Sequence, residues 1–455
     1  MTHEEIKESI VKYTKNKENS ALLAFLDEAN EVNVAEVLES EFTPKEIVKL
    51  FRRITKEKVA EIFAYFSQDT KEKVIFLFSD EEIKIIFEYM FTDDISEFLD
   101  QLPEERVNKV LSAASKQRRT EINMILNFKE YSAGSLMSTD YISLSPDITV
   151  DEALEIIKKE EKLAETISFC YVTNENNTLL GYISVKAILL APENTIISDI
   201  MELDVISVDT DEDQEEIAKI FSKYDLMVLP VVNKQHTLMG IITIDDVYDI
   251  VQEEITEDLQ KMGGITPIDG SYLQMNVFEM FKSRITWLLI LMISATVSGW
   301  IISNNIVLIK HLPSLLIFIP VLMDTAGNAG SQSSAMVVRG IALDNLGIKD
   351  MLYVIKKELK NSIILGFLLF VANMIRILIF MPNIEIKIAL LISITIYIIV
   401  LIANLIGGIL PLIATSFKQD PASMSSPILT TVCDAISLTT YFALAKVFLG
   451  GGLNV

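Results

Sequence analysis

The sequence predicts a multidomain chain: an all-α superhelical N-terminal part, an α/β tandem repeat, and an α-helical transmembrane part of five spans. Three observations carry this. The first is charge. The chain holds 39 Lys and Arg against 63 Asp and Glu, a formal net charge of −24, but residues 281–455 carry 12 basic and 7 acidic residues, a net of +5. Residues 1–280 therefore carry 27 and 56, a net of −29, so water solvates the first part and lipid the second. The second is a three-and-four apolar spacing over residues 1–130, and the third is an internal repeat over 131–255.

Residues 1–130 read as short helices. Val48, Leu50 and Phe51, then Val59, Ile62, Phe63 and Phe66, then Val74, Ile75, Phe76 and Phe78 supply the apolar faces. Breaks are expected at Thr43-Pro44, Ser67-Gln68-Asp69, Ser79-Asp80 and Leu102-Pro103. Helices of this length stack into an array. Asp93, Asp94 and Glu97 read as an acidic, solvated turn.

Each copy of the repeat predicts a short strand, an amphipathic helix, two strands about a polar turn, and a second helix. The copies run from Leu136 (LMSTDYISLSPDITVDEALEIIKK, then FCYVTNENNTLLGYISVKAIL) and from Ile200 (IMELDVISVDTDEDQEEIAKIFSKYDLMVLPVVNKQHTLMGIITIDDVYDI); Met137 matches Met201, and Gly181 matches Gly240. This resembles a tandem pair of CBS domains, 131–199 and 200–255. The resemblance implies a regulatory module, in many members one that binds adenosyl ligands such as ATP. The ribose signature is kept in the second copy as Gly240, Thr243 and Asp246, whereas in the first Gly181 and Ser184 are followed by Ala187 after Lys186. The alternative is that Asp245 and Asp246 cap the next helix. Acids are dense here, and Asp245–Asp249 and Glu253–Glu257 are i,i+4 like-charge pairs, which weaken a helix unless a cation or basic partner offsets them. Residues 256–281 form an amphipathic linker broken by Gly263-Gly264 and Pro267.

Residues 282–455 predict spans near 285–303, 312–338, 361–381, 386–416 and 421–449, each able to cross roughly 30 Å of hydrocarbon. Lys282, Arg284, Lys349, Lys356, Lys357, Lys360 and Lys418 outnumber Lys310 and Lys387 of the alternate loops, which sets the N-terminus inside and the C-terminus outside a multi-pass cell membrane. The last span carries one carboxylate near its middle, Asp434, with Pro427, Thr430, Thr431, Tyr441 and, more loosely, Ser426 near its face. The second span reads PVLMDTAGNAGSQSSAMVVRG over 320–340, and Asp324, Asn328 and Gln332 share one stripe beside Ala326, Gly327, Ala329 and Gly330. These are hard oxygen donors with no nearby Cys or His, suited to Mg²⁺ or Ca²⁺. A helix-packing seam is the competing reading of the stripe.

Cys170 and Cys433 have no zinc or disulfide spacing. The acidic, polar MTHEEIKESI start is no cleavable signal peptide. The acidic balance argues against nucleic acid as a partner. No P-loop or phosphorylatable DKTG-type sequence marks a pump, and no nucleophile–base pair marks an enzyme.

The order of parts resembles the MgtE family of magnesium transporters over nearly the whole chain. The matching residues are Gly327 to Ser333 (GNAGSQS), Arg339-Gly340, Asp420-Pro421-Ala422, and Pro427 with Thr431 and Asp434. The resemblance implies a homodimeric, Mg²⁺-gated Mg²⁺ channel lined by the second and fifth spans. Asp434, with Asn328, Gln332, Thr430 and Asp420, is then expected to meet the ion. The sensing acids are expected at Glu61, Asp93 and Glu97, at Asp213, Glu215, Asp225, Asp246 and Asp249, and at Glu254, Glu257 and Asp258 near the membrane. Ser426 stands where some members have Asn, and Ala326 replaces a Gly. The runners-up are a transporter of broader range (Co²⁺, Ni²⁺, Mn²⁺) and a membrane-anchored CBS sensor without transport.

Overall fold

The computed structural model of the chain describes all residues except 17, 269–271, 273–274, 345, 425–426 and 450–455, with the side chains of 343, 344 and 424 also left aside. It forms two compact units, Met1–Gln252 and Glu253–Val455.

The first unit begins with ten short helices, from His3–Asn16 to Lys116–Leu126. The expected breaks are their caps. Thr43, Ser67, Ser79 and Pro103 each stand at an N-cap, and Thr43 and Ser79 close capping boxes with Glu46 and Glu82. Their apolar faces meet in one continuous core that includes Phe51, Phe63, Phe87 and Phe98. Two of the helices matter most below: α1, Thr92–Asp100, and α2, Lys116–Leu126.

The repeat folds as two three-stranded sheets. In the first, β1 (Ser143–Leu144) runs parallel to β2 (Phe169–Thr173), which pairs antiparallel with β3 (Leu179–Ser184). In the second, β4 (Val208–Asp209), β5 (Val228–Val232) and β6 (Leu238–Thr243) repeat this pattern. The matched Gly and Met residues of the repeat interlock across the copies. A Cβ on Gly181 would lie 2.6 Å from the Glu202 carbonyl oxygen, against the Met201 side chain. A Cβ on Gly240 would lie 2.6 Å from the Ser138 carbonyl oxygen, against Met137. Each copy thus lends its Met segment to the other copy's glycine, so neither closes its core alone. The last helix of this part is α3, Ile244–Met262.

The helical domain is joined to the CBS pair by a buried ion pair. Arg118 of α2 is 8% exposed and donates to the Asp140 carboxylate at 2.7 Å and to the Phe87 carbonyl at 3.0 Å. Asp140 also accepts from the Thr92 backbone N–H at 2.7 Å. That bond fixes the first turn of α1 against the first CBS repeat.

The second unit holds five long helices: α4 (Val277–Asn304), α5 (Ser314–Asp344), α6 (Met351–Phe380), α7 (Ile386–Ser416) and α8 (Pro427–Leu449). Four of them, α4, α6, α7 and α8, are long and apolar enough to cross a membrane, so five spans are not established by that measure. The exception, α5, has 31 residues; its Asp324, Asn328 and Gln332 and its run of small residues lower its apolarity. The last helix starts at Pro427, later than the expected 421, because Asp420 folds back to accept the Ala422 N–H at 2.7 Å and a 3₁₀ turn follows at Ala422–Met424. Helix α7 is the buried centre, packed by α5, α6 and α8. Close approach of α5 and α7 needs a glycine: a Cβ on Gly407 would overlap the Gly330 carbonyl oxygen. Nearby, the Ser333 hydroxyl donates to the Asn404 carbonyl at 2.8 Å.

Removing Arg118 leaves Asp140 buried without its counter-charge. Arg118→Met is expected to destabilise the first unit by about 3–5 kcal/mol. The measurement is the urea midpoint for loss of protease resistance of residues 1–252 in the full chain; an unchanged midpoint would show the pair to be dispensable.

Candidate cation sites

The face of α5 opposite α7 carries the polar stripe. Asp324, Asn328 and Gln332 are all exposed, whereas Ala326, Ala329, Gly330, Ser333 and Ser334 are buried. The packing seam and the stripe are therefore two different faces of one helix. The small residues serve the seam, which leaves the amides and the carboxylate outside it. The Asn328 amide donates to Asp324 Oδ1 at 3.1 Å, so its carbonyl oxygen is turned to be an acceptor elsewhere.

Helix α8 brings Asp434 to this stripe. Asp434 is half-buried, and the charged group it meets is Asp324. Asp324, which lay on the expected stripe but not among the expected ion contacts, is thus a second carboxylate at the site. Thr430 packs where Gly327 lacks a side chain, 3.4 Å from the position of a Cβ, and its hydroxyl donates to the Pro427 carbonyl. Thr431 donates to the same carbonyl at 3.1 Å. Tyr441, expected near the Asp434 face, is fully buried, and its hydroxyl donates to the Leu315 carbonyl of α5 at 2.9 Å; it holds the two helices together. Ser426 lies outside the described residues.

Asp420 sits elsewhere. Its carboxylate meets Lys261 Nζ at 2.6 Å, and the same ammonium meets Glu257 at 2.5 Å. The linker after α3 is fixed near this pair. The Gln260 amide holds both backbone groups of Ile268, at 2.8 and 3.1 Å, and Gly264, with φ +68°, lies against the Pro427 ring.

In the first unit the acids sort into two groups. Glu61 pairs with Lys58 at 3.0 Å and Glu215 with Lys219 at 3.1 Å. Asp213 caps the Gln214–Tyr224 helix by accepting the Glu215 N–H at 3.0 Å, and Asp225 ends that helix in a left-handed conformation, φ 51°. Asp93 and Asp94 form the other group with Asp246 and Glu165. Asp93 and Asp94 were expected in a solvated turn, but they lie in the first turn of α1, and Asp93 Oδ1 is buried with no hydrogen-bond donor. Glu97 stays exposed on the same helix. Asp246, at the start of α3, accepts from the Thr243 hydroxyl at 2.6 Å and the Thr243 N–H at 3.2 Å, so the second-repeat nucleotide signature is also a helix-capping interaction. Burial raises Asp246 against the Thr243 hydrogen bonds, and the charges of Asp245 and of Asp249 in the next turn of α3 add to it. Glu254, Glu257 and Asp258 lie further along α3, in the second unit.

Burial, then the charges of Asp94, Asp246 and Asp140, pushes Asp93 well above the usual carboxylate range. Burial pushes Asp94 to about 6, with Lys71 opposing and Glu97 and Asp246 adding. Glu165 is pushed to about 10 by burial and by Asp93 and Asp246. Among the described residues no three Asp, Glu, His or Cys side chains gather closely enough to chelate a bare ion. A hydrated ion, bridged through its waters, does not need that closeness.

A helical domain, a pair of small α/β repeats and a helical bundle bearing a carboxylate-and-amide stripe are the parts of a class of divalent cation transporters, as the family matches show. The divalent cation transporter profile matches residues 319–444, that of the MgtE intracellular N domain residues 29–131, and the CBS profile residues 133–194 and 197–253. The magnesium transporter MgtE of Enterococcus faecalis is 31% identical over 333 residues, 72% of each chain. That of Bacillus subtilis is 27% identical over 451 residues, 99% of this chain and 98% of its own. The crystal structure of the soluble part of a magnesium transporter matches with a TM-score of 0.53 at 26% identity, over 56% of this chain and 99% of that one. The chain belongs to the MgtE family.

The raised carboxylates give a pH dependence of defined sign. Asp94 binds its proton more tightly folded, at about 6, than an unfolded Asp does, at about 3.9. Its contribution to stability is present below the unfolded value and is lost as pH rises through the folded one. With chelator present, residues 1–252 should therefore melt progressively lower from about pH 4 to above about pH 6. Mg²⁺ should flatten that slope. A melting temperature that rises across the window, read by thermal proteolysis, would contradict the burial of these acids.

Proposed function

We propose that the chain is a passive, Mg²⁺-gated channel for Mg²⁺ uptake across the cell membrane, working as a homodimer with residues 1–255 in the cytoplasm and the C-terminus outside. The observation that carries this is the exposed Asp324–Asn328–Gln332 stripe beside Asp434, on the outside of an otherwise apolar bundle. A charged residue at the centre of a span costs about 2.5–3.5 kcal/mol in lipid. The stripe must therefore line a water path, with α5 as the second of five spans. One chain leaves this face uncovered, and a two-fold axis through it would set two stripes and two Asp434 carboxylates around one path.

The donors suit Mg²⁺. It sheds its waters reluctantly, and carboxylates and amide oxygens can hold a hydrated ion by accepting from those waters. Uptake needs no hydrolysis. A membrane potential negative inside favours entry of a double charge by about 4.6 kcal/mol per 100 mV. The reading does not require ATP at Gly240, Thr243 and Asp246, where Thr243 and Asp246 already hydrogen-bond each other. A CBS sensor without transport would leave Asp324 and Asp434 with no reason to be in a span.

Closure follows from the buried acids. Two like charges at about 4 Å and an effective dielectric of about 20 repel by about 4 kcal/mol. Asp93 and Asp246 belong to different domains, so bare acids favour separation and bound Mg²⁺ favours closure. A ligand shifts two states only through such a difference in affinity. Lys261 ties the end of α3 to the segment before α8, which gives closure a route to the pore.

In liposomes, wild-type protein is expected to pass Mg²⁺ selectively, and Asp434→Ala to abolish that flux while remaining a folded dimer. Undiminished selective flux in Asp434→Ala would remove Asp434 from the pore. Asp93→Asn with Asp246→Asn should leave a channel that stays open at millimolar-order internal Mg²⁺. Closure at the wild-type concentration would place the sensor elsewhere.

A further inference from the structure

Glu165 belongs to no motif in the sequence and to none of the groups of acids that the family resemblance implies. It lies in the first CBS repeat, between the turn at Glu161–Leu163 and β2. Its backbone is fixed, since its N–H donates to the Asp140 carbonyl at 2.7 Å. The Ser138 hydroxyl lies 3.5 Å from its Oε2 and 3.5 Å from Asp140 Oδ2. Asp140 is already neutralised by Arg118.

Glu165 has no such partner. The charges that bear on it most are all carboxylates: Asp93 first, then Asp246, Asp94 and Asp245. They come from α1 in the helical domain and from the start of α3, the last helix of the second repeat. Of the nearby cations, Lys71 acts on Asp94 and Arg118 on Asp140. Geometry agrees: the Asp140 carbonyl holds the Glu165 N–H and the Asp140 carboxylate holds the Thr92 N–H, so one residue anchors both Glu165 and the first turn of α1 that carries Asp93. A second observation points to a ligand there. Asp93 Oδ1 is buried without a donor, and burial of an unpaired acceptor is not tolerated without compensation.

We infer that Glu165 is a ligand, directly or through water, of the cation held by Asp93 and Asp246, so that the first CBS repeat reads Mg²⁺ together with the second. This rests on the reading that Asp93 and Asp246 bind Mg²⁺. Octahedral Mg²⁺ retains several waters, so three carboxylates from three elements can share one hydrated ion without touching each other. With Glu165 included, the ion joins all three folded parts of the first unit.

The test uses the full chain in detergent and reads the Mg²⁺ midpoint for protease protection of residues 1–252, with melting in EDTA alongside. Glu165→Gln keeps the shape and a hydrogen-bonding oxygen but removes the charge. It should raise the midpoint about tenfold, as loss of one charged ligand does. It should also leave the EDTA melting temperature equal to or above wild type, because the neutral amide replaces a carboxyl that must take up a proton to stay among the other acids. Glu165→Asp, which keeps the charge, should fall between Gln and wild type. Glu161→Gln, an exposed acid four residues away, should match wild type. If Asp93→Asn shifts the midpoint and Glu165→Gln does not, the inference is overturned while Mg²⁺ sensing stands. If Glu165→Gln melts lower in EDTA at an unchanged midpoint, Glu165 is structural and the inference is likewise overturned. If wild type shows no Mg²⁺ protection at all, the sensing reading itself fails.

Discussion

A carboxylate taken out of water takes up a proton, meets a cation, or keeps a path to water. That constraint orders most of this molecule. In the first unit, Asp140 meets the Arg118 guanidinium inside the protein, and that pair seats the first turn of α1 on the CBS repeat. The seating buries one carboxylate oxygen of Asp93, one residue later, where no hydrogen-bond donor reaches it. One satisfied ion pair therefore positions an unsatisfied acid. The same fold that is stabilised at Arg118 is left dependent on protons or cations at Asp93.

In the second unit the constraint acts through helix packing. Gly330, Gly407 and the Ser333–Asn404 hydrogen bond let α5 lie close on α7 by its small-residue face. With 3.6 residues per turn, burying Ala326, Gly330 and Ser333 turns Asp324, Asn328 and Gln332 away from α7. In the sequence a packing seam and an ion path are alternatives, but the helix geometry makes them complementary: the tighter the seam, the more firmly the stripe is held outward. Tyr441, bonded to the Leu315 carbonyl, fixes α8 beside it and so sets Asp434 within reach of Asp324.

Features that depend on neighbours in sequence were legible before any coordinates. The N-caps at Thr43, Ser67 and Ser79, the strand–helix order of the two repeats, and the positions of the long apolar helices all rest on periods of two, three or four residues. Features that depend on distant neighbours were not. Burial of the Asp93 oxygen needs Asp140 to hold Thr92 from 48 positions away. Met137 and Gly240 match Met201 and Gly181 in the repeat, but nothing local shows that each Met packs on the other copy's Gly. Glu165 has no local signature at all, because its neighbours are acids from two other elements. Lys261 could be read as an i+4 partner of Glu257, but not as the partner of Asp420.

The acids of this chain can then be sorted by what neutralises them. Glu61, Glu215, Glu257, Asp140 and Asp420 have lysines or arginines of the chain's own, and Asp213 accepts a helix N–H. A bound cation would have to displace a tethered ammonium or guanidinium at each of those pairs, which lowers the gain from binding. The charges that bear on Asp93 and Glu165 are those of other acids, and the charge that bears on Asp434 is that of Asp324. At those two places a divalent ion removes repulsion and supplies attraction in one step, so its binding energy is largest where the chain supplies no cation. Lys261 is the instructive contrast. Between Glu257 and Asp420 it does permanently what Mg²⁺ would do reversibly, so the join between α3 and the approach to α8 holds whether or not the ion is present. A permanent join at Lys261, beside acids that no cation of the chain answers, divides the carboxylates into those already neutralised and those a divalent ion would neutralise.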